Sequence, residues 1–275
     1  MEQAIYLNYI QIRRQSTQKR SLEEAVQLCK NAGFYRFDYL SDVLDDAERD
    51  REIFDKAGVK VIQSHCPFFR YKEDGINKFK EEAPKAVKAA AKLGAEFFVI
   101  HADEYRMNDE ISFDEMMKVT REYLAPVIDL CAEYGLRPAI ENLFEEKGRP
   151  HRTRFCSEAE EVIGVIESFP GTGIGCCWDS GHHHVSFGDD DFFPKLEMLA
   201  PYIICTHMHD NRYGVDMHKP AFFGTINWER VMEILKQYNY PGDFSWEFVH
   251  DRVPDAVYGE YLKFIKASGD YLLSL

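Results

Sequence analysis

The sequence predicts a single (β/α)₈ barrel, and three observations lead to this fold class. Short apolar runs alternate eight times with segments of helical periodicity along 275 residues, a length close to that of one such barrel. Six consecutive runs end in a carboxylate or an imidazole: His65, His101, Glu141, Asp179, His207 and Glu247. Parallel strands closed into a barrel bring such positions together at their C-terminal rim. An open doubly wound sheet is the alternative.

Strands are predicted where apolar, β-branched and aromatic residues cluster. The eight predicted strands span residues 4–10, 34–40, 59–66, 96–102, 136–143, 173–180, 203–209 and 243–249. Small residues stand two positions before four of the strand-end polar residues: Ala139, Cys177, Cys205 and Ser245. Residues two apart on a strand share a face. Small side chains below a polar ring therefore predict a hollow at the barrel mouth.

Helices are predicted between the strands from capping residues and periodicity. Ser21 caps the first helix and Ser112 opens a long one. Ser157 and Glu160 form an S-x-x-E capping box for the fifth helix. The remaining helices are predicted near residues 45–57, 190–199, 227–238 and 255–273, together with a helix after strand three that ends at the segment AAAKLG. Strands that alternate with helices in this way favour a parallel sheet.

One domain over residues 1–275 is expected, because no Pro/Gly/Ser-rich linker divides the chain. No apolar run approaches the ~20 residues of a membrane span, and the N-terminus lacks a signal segment. The seven cysteines include no CxxC pair, which is typical of buried free thiols in a reducing compartment. We expect a cytoplasmic protein without a membrane partner.

The charge balance bears on the partners of the protein. The net charge is −14, from 33 basic and 47 acidic residues. An acidic surface disfavours the electrostatic capture of nucleic acid or anionic membrane, although a local basic groove stays compatible with it. We therefore expect a small-molecule partner and no nucleic acid. A homo-oligomer is compatible with the sequence.

Four of the strand-end residues form a candidate metal site. Glu141, Asp179, His207 and Glu247 end the predicted strands five to eight. Three carboxylates and one imidazole suit a divalent cation such as Mn²⁺, Mg²⁺, Co²⁺ or Zn²⁺. Without a cation the carboxylates would repel one another and some would take up protons. We expect one divalent metal ion; hydrogen-bonded rim residues are the alternative.

An ordered set of motifs resembles the xylose isomerase-like (β/α)₈ superfamily. The motifs are S-H-C-P-F, V-I-H-A-D, I-E-N, W-D-S-G-H, T-H-M-H-D, D-M-H-K-P-A-F-F-G-T-I-N-W and W-E-F. The resemblance runs from strand three to the end of the chain and more loosely over the first two units. That superfamily contains sugar isomerases and epimerases, inosose dehydratases, hydroxypyruvate isomerases and apurinic-site endonucleases.

The isomerase and epimerase branch implies roles for individual residues. The residues that would hold one divalent metal are Glu141, Asp179, His207 and Glu247. By the same resemblance Glu141 and Glu247 flank the substrate as acid/base groups. His182 would contact a substrate oxygen, with His65 and His101 lining the opposite side of the pocket.

Further polar residues extend the predicted substrate site. Epimerases of ketohexoses tend to carry an Arg six residues after the strand-seven His; this chain has Tyr213 there and Arg212 one residue earlier. Arg212 and His218 are the remaining predicted substrate contacts. His209 shares a strand face with His207 and either points into the site or supports it from behind. The loop after strand five carries the basic residues Lys147, Arg149, His151, Arg152 and Arg154. Two interpretations stay open: the loop binds a phosphate or carboxylate of the substrate, or it is a solvated charged loop.

The endonuclease branch is the alternative that the resemblance leaves open. It implies a second zinc at His65, His101 and Glu141, and a third zinc at His182, Asp216 and His218. A non-catalytic sugar-binding subunit is a further alternative, but a binding protein has no need of three converging carboxylates.

The expected chemistry is the removal of a proton from a carbon beside a carbonyl, which a metal bound to the oxygens makes acidic by stabilising the enediolate. Return of the proton to the neighbouring carbon is isomerisation, and its delivery to the opposite face is epimerisation. Loss of a β-hydroxyl instead makes the site an inosose-type dehydratase. We expect an isomerase or epimerase of a sugar, sugar acid or sugar phosphate.

Overall fold

The computed structural model describes residues 1–11, 20–41, 44–67, 75–102, 111–145, 154–212, 214–248 and 253–275, except the side chains of residues 44 and 45. Within them, eight parallel strands form a nearly closed sheet with helices between them, which is a single (β/α)₈ barrel. The barrel strands are β1 (Gln3–Tyr6), β2 (Arg36–Asp38), β3 (Lys60–His65), β4 (Phe97–Ile100), β5 (Arg137–Glu141), β6 (Gly175–Asp179), β7 (Ile203–His207) and β10 (Phe244–Trp246). A separate antiparallel hairpin is formed by β8 (Asp210–Arg212) and β9 (Val215–Lys219).

The order of the strands around the sheet is β10-β1-β2-β3-β4-β5-β6-β7. Backbone hydrogen bonds between the segment after β7 and the end of β10 draw the two outer strands together. The amide of Met208 donates to Ser245 O at 2.7 Å, and that of Glu247 donates to Met208 O at 3.0 Å. The predicted barrel is therefore confirmed over the open-sheet alternative, and its strand ends meet around one mouth.

Nine helices occur in the described residues: α1 (Leu7–Gln11), α2 (Leu22–Asn31), α3 (Leu44–Ala57), α4 (Gly75–Leu93), α5 (Phe113–Glu133), α6 (Ala159–Glu167), α7 (Ser180–Leu199), α8 (Trp228–Gln237) and α9 (Asp255–Ser274). Ser21 and Ser112 cap α2 and α5 in capping boxes, as predicted. The predicted box at Ser157 is wrong. Its hydroxyl donates to Arg154 O at 3.3 Å, and α6 instead pairs the Glu158 amide with the Glu161 carboxylate.

Two element boundaries differ most from the prediction. The sequence predicts the first strand over 4–10, but the chain turns into α1 at Leu7. Helix α7 begins at Ser180 and not near residue 190, because Asp179 accepts a hydrogen bond from the His182 amide at 2.7 Å and caps the helix directly after β6. Gly188, with φ of 62°, joins two helical pieces within α7. The predicted helix is thus only the second piece.

The core has two layers, one inside the barrel and one between the sheet and the helices. The inner cluster consists of Phe97, Val99, Ala139, Cys177, Ile204 and Cys205. Large neighbours on the same strands, Ile140, Trp178 and Trp246, belong to the outer cluster that packs against the helices. The predicted strand faces are therefore confirmed. All seven cysteines are buried free thiols.

The described helices include none with both the length and the apolar character needed to cross a membrane. At the mouth of the barrel, six strands end in a polar residue: Tyr6, Asp38, His65, Glu141, Asp179 and His207. His101 and Glu247 follow β4 and β10 by one residue. All eight strands therefore deliver a polar side chain to the C-terminal rim.

Candidate metal centre

The four residues predicted to bind a metal lie together in the barrel mouth. Each of Glu141, Asp179, His207 and Glu247 offers one ligand atom, and these four atoms lie within 4.8 Å of one another. His207 Nδ1 is 3.4 Å from Glu141 Oε2 and 3.3 Å from Glu247 Oε2. All four residues are buried. Strand ends far apart in sequence thus supply one compact set of hard and borderline donors.

Asp38 sets the orientation of the His207 ring. Because a carboxylate only accepts, His207 Nε2–H donates to Asp38 Oδ2, at 2.8 Å. Gln63 Nε2 donates to the same oxygen at 2.8 Å and contacts Thr206 O at 3.2 Å. His207 Nδ1 is therefore turned towards the carboxylates, where it has no hydrogen-bond partner among the described residues.

A second group shares Glu141 with the first. His65, His101 and Glu141 place one ligand atom each within 4.8 Å of the others. His65 Nδ1–H donates to Cys66 O at 2.6 Å, which leaves Nε2 facing Glu141 Oε2 at 3.0 Å. His101 Nε2 lies 3.2 Å from the same oxygen. Both histidines therefore lie beside Glu141, the position that the sequence predicts for them.

A third group lies on the other side of Asp179 and consists of His182, His209, Asp216 and His218. His218 Nδ1–H donates to Glu247 O at 3.2 Å, and Nε2 lies 3.2 Å from Asp216 Oδ2. The His218 ring stacks on His209 at 3.9 Å between centroids. His218 has φ of 45°, a left-handed backbone that non-glycine residues seldom adopt. The hairpin β8–β9 is thereby folded back onto the mouth.

Imidazoles set the electrostatics of two of the three predicted acidic ligands, Glu141 and Asp179. Burial raises the pKa of Glu141, but the charges of His207 and His101 outweigh it and hold this pKa well below its usual value. Burial also opposes ionisation of Asp179, and His182 and His209 hold its pKa below the usual value. Both carboxylates are therefore ionised at neutral pH.

The imidazoles respond in the opposite direction. Burial lowers the pKa of His207, but Glu247, Glu141 and Asp38 together raise it well above the usual value. Burial also lowers the pKa of His182, but the carboxylates of Asp179 and Glu141 outweigh this effect and raise it to about 10. In the protein alone, protons on imidazoles thus balance the converging carboxylates.

The arrangement fits a divalent cation. His65 and His218 each give one ring proton to a backbone carbonyl, His207 gives one to Asp38, and all three direct the other nitrogen at carboxylate oxygens. A neutral imidazole has a lone pair at that nitrogen, so a carboxylate facing it is repelled unless a proton or a metal ion lies between them. The residues that could hold the ion are Glu141, Asp179, His207 and Glu247.

Arg212 is placed differently from the other predicted substrate contacts. Its backbone pairs with Val215 in the hairpin, but its exposed side chain forms no hydrogen bond or ion pair with other described residues. Tyr213 and the basic loop residues Lys147, Arg149, His151 and Arg152 lie outside the described residues. Arg154 is described; its guanidinium lies 3.9 Å above the Phe144 ring, which is 4.8 Å from the His182 ring.

Three contributors to the site were not predicted from the sequence. Asp38 and Tyr6 end β2 and β1, but the predicted strands ran on to residues 40 and 10, so neither residue stood at a predicted strand end. Asn142 joins two ligand strands, since its side chain donates to Asp179 O at 3.0 Å and accepts from the Asp179 amide at 2.8 Å. No motif indicates that pairing.

Comparison with known proteins identifies the family. The family described as xylose isomerase-like TIM barrel matches residues 25–268. The chain belongs to this family. An uncharacterized protein of Methanocaldococcus jannaschii, MJ1311, is 25% identical over 211 residues, which cover 75% of this chain and 69% of that protein.

Solved structures of the xylose isomerase-like type share the fold. The 3-keto-D-glucoside 4-epimerase YcjR from E. coli superposes with a TM-score of 0.74 at 17% identity, covering 97% of this chain and 99% of that one. The IolI protein with a bound zinc atom gives a TM-score of 0.74 at 17% identity, covering 98% and 96%. Other neighbours are described as a D-tagatose 3-epimerase-like protein, a D-psicose 3-epimerase and an L-ribulose 3-epimerase. The structural neighbours are thus largely sugar epimerases.

Proposed function

We propose that this protein is a divalent-metal-dependent isomerase or epimerase of a small sugar, sugar acid or sugar phosphate. The observation that carries the proposal is the set of four ligand atoms within 4.8 Å, three of them carboxylate oxygens. The sugar epimerases among the structural neighbours support the reaction class, and the zinc in the IolI neighbour supports a metal. The free buried cysteines agree with action in the cytoplasm.

In this proposal Glu141, Asp179, His207 and Glu247 hold one ion: Mn²⁺, Mg²⁺, Co²⁺ or Zn²⁺. When bound, the ion would polarise the substrate carbonyl and stabilise the negative charge that develops as the neighbouring carbon loses its proton. Asp38 keeps His207 turned towards the ion through the bond at 2.8 Å. The remaining rim residues are left to bind and orient the sugar.

Glu141 and Glu247 are the proposed acid/base pair. Their strands lie three places apart in the ring of eight, close to the maximum of four, so the two side chains reach the mouth from nearly opposite walls. Glu141 is held ionised by its imidazole neighbours, so the form that can accept a proton is the one present at neutral pH. A base on each wall suits proton removal on one face of a carbon and return on the other.

The proposed substrate contacts surround these two glutamates. His65 and His101 lie on one side of Glu141, and His182 Nδ1 lies 3.2 Å from Glu141 Oε1 on the other. His218 and Arg212 come from the hairpin that borders the mouth. We propose a small-molecule substrate without a nucleic-acid or membrane partner, which the net charge of −14 supports.

Deuterium exchange tests the proposed reaction even though the sugar is unidentified. The metal-loaded protein is incubated in D₂O with a panel of ketoses, keto acids and their phosphates. At least one member should gain deuterium beside its carbonyl, and Glu141→Gln and Glu247→Gln should abolish that gain. Glu161→Gln, a buried glutamate of α6, is the matched control. Loss of water from a panel member would move the assignment to an inosose-type dehydratase, and retention of protium throughout would argue against the proposal.

A trinuclear-zinc apurinic-site endonuclease is the second candidate, which the two further ligand groups favour. These groups are His65 with His101 and Glu141, and His182 with His209, Asp216 and His218. Elemental analysis of protein purified without chelator separates the candidates. About one divalent ion per chain is expected for the sugar enzyme. Close to three zinc ions, together with cleavage of a duplex that contains an abasic site, would establish the endonuclease.

A further inference from the structure

We infer that His209 is a positioning residue that holds the Asp179 carboxylate in its metal-binding orientation. The inference rests on the proposed function, because it takes Asp179 as a ligand of the ion. His209 is two residues beyond His207 and is fully buried. The sequence leaves open whether His209 points into the site or supports it. Its contacts with Asp179 favour the supporting role.

The His209 ring makes two short contacts with a single carboxylate. Nε2 lies 2.9 Å from Asp179 Oδ1 and 3.1 Å from Oδ2. The amide of His182 donates to Oδ1 at 2.7 Å. Two donors therefore approach Asp179 from the side of β7 and α7, and the carboxylate is fixed while it still faces Glu141, His207 and Glu247. Both Asp179 and His209 are 0% exposed, so water does not compete for these bonds.

The proton on the ring is placed by the surroundings. Nδ1 of His209 is buried without a hydrogen-bond partner among the described residues, whereas Nε2 faces a carboxylate, which only accepts. The Nε2–H tautomer is therefore the one that the contacts select. A ring that donates to a ligand carboxylate in this way is a support of the kind that commonly orients metal ligands.

The chain is built to keep this ring in place. The amide of His209 donates to Ser180 Oγ at 2.9 Å, and Ser180 Oγ donates to His209 O at 2.8 Å. His218 covers one ring face, with centroids 3.9 Å apart and planes 9° apart. A Cβ at residue 181 would overlap the ring of His209, so Gly181 leaves the space that the ring fills. The backbone hydrogen bonds, the stacked His218 ring and the space at Gly181 together hold the His209 ring in one orientation.

A pair of variants separates hydrogen bonding from packing. His209→Leu keeps an apolar side chain in the space but removes the donor. His209→Gln keeps an N–H donor at similar reach from the backbone. The dissociation constant for Mn²⁺, and separately for Zn²⁺, is measured by competition with a chelating dye. We expect His209→Leu to weaken binding by about 10- to 100-fold, the range found when supporting residues of metal sites are removed. His209→Gln should restore most of the affinity.

His183→Gln is the matched control. His183 is a buried histidine of the same helix as Gly181 that donates to Phe192 O at 2.8 Å and lies outside all the ligand groups. The substitution should lower the melting temperature of the metal-free protein without changing either dissociation constant. Melting curves of all three metal-free variants show whether each one folds.

Three results would overturn the inference. These are unchanged affinity in a folded His209→Leu variant, equal losses in the Leu and Gln variants, and the same loss of affinity in His183→Gln. A wild-type protein that binds no divalent ion contradicts the proposed function instead. The two failures are therefore told apart by the wild-type measurement alone.

Discussion

His207 acts on the site through both ring nitrogens, and this dual use decides what the cluster can bind. One nitrogen gives its proton to Asp38, and the other faces the carboxylates of Glu141 and Glu247. Because the protein fixes which nitrogen carries the proton, the ring presents either a lone pair to a metal ion or a second proton to the carboxylates. The same position thus accepts a proton or a cation.

Replacement of Asp38 tests this orientation. Asp38→Asn removes the charged acceptor of the His207 proton and should weaken the binding of a divalent ion by about 10- to 100-fold. Isothermal titration with Mn²⁺ measures the change. Asp50→Asn is the control, since Asp50 is a buried carboxylate of α3 that accepts from Tyr39 and belongs to none of the ligand groups. Equal affinity in the Asp38 variant and the wild type would remove Asp38 from the site.

Metal binding should also release protons. Burial opposes the charge of His207, but Glu247, Glu141 and Asp38 raise its pKa well above the usual value, so the ring keeps its second proton near neutral pH without a metal. A metal ion needs the lone pair. The affinity should therefore increase with pH until the raised pKa is passed, with about one proton per ion released by this ring. The dependence of the binding enthalpy on buffer ionisation measures the number, and a value of zero at pH 7.5 would contradict the protonated ring.

The sequence predicts which polar residues meet at the barrel mouth better than it predicts the hydrogen bonds that orient them. Glu141, Asp179 and His207 are visible because each ends an apolar run. The partner of His207 is 169 residues away along the chain, and neither residue carries a local sign of the pairing. His209 shows the same limit, because strand alternation places it on the face of His207 but cannot tell a ligand from a support.

At the scale of elements, segments with an apolar run or a helical period are predictable from the sequence, and polar segments are not. The barrel strands and the helices α2 and α5, with their serine caps, follow from local patterns. Strands β8 and β9 are as short as several barrel strands, but their residues are mostly polar and show no apolar run. The predicted start of α7 is wrong because Asp179 serves both as the last strand residue and as the cap.

The hairpin β8–β9 depends on Asn211 for its shape. Asn211 Oδ1 accepts hydrogen bonds from the amides of Met217 at 2.5 Å and His218 at 3.2 Å. These bonds offset the strained backbone of His218, with φ of 45°. Without them, we expect His218 to leave its stacked position on His209.

Paired variants test the hairpin. Asn211→Ala removes the acceptor and should raise the amide hydrogen exchange of residues 215–219 relative to the wild type. Asn211→Asp keeps an acceptor oxygen at the same reach and should preserve much of the protection. Exchange is followed by mass spectrometry on metal-free protein, with the barrel strands as an internal reference. Equal protection in the wild type and the Ala variant would show that the hairpin is held by other contacts.

At the scale of the whole molecule, the barrel concentrates negative charge where its strands converge. The chain carries a net charge of −14, and three buried carboxylates share the mouth with His207. Such a field attracts cations and disfavours polyanions. The cost of bringing buried carboxylates together is offset when a cation joins them. Metal binding and folding should therefore be coupled through the whole barrel, since the proposed ligands come from four of its strands.

Melting curves measure that coupling. A ligand that binds only the folded state stabilises it by RT ln(1 + [L]/Kd), about 2.7 kcal/mol at a hundredfold excess over Kd. For a chain of this size such a gain raises the melting temperature by roughly 5 °C. Chelator should lower the melting temperature by that amount, and Mn²⁺, Mg²⁺, Co²⁺ or Zn²⁺ should restore it. Glu247→Gln and Asp179→Asn should blunt the response, whereas Asp50→Asn should leave it intact. A melting curve that chelator and metal both leave unchanged would contradict a metal site in the folded barrel.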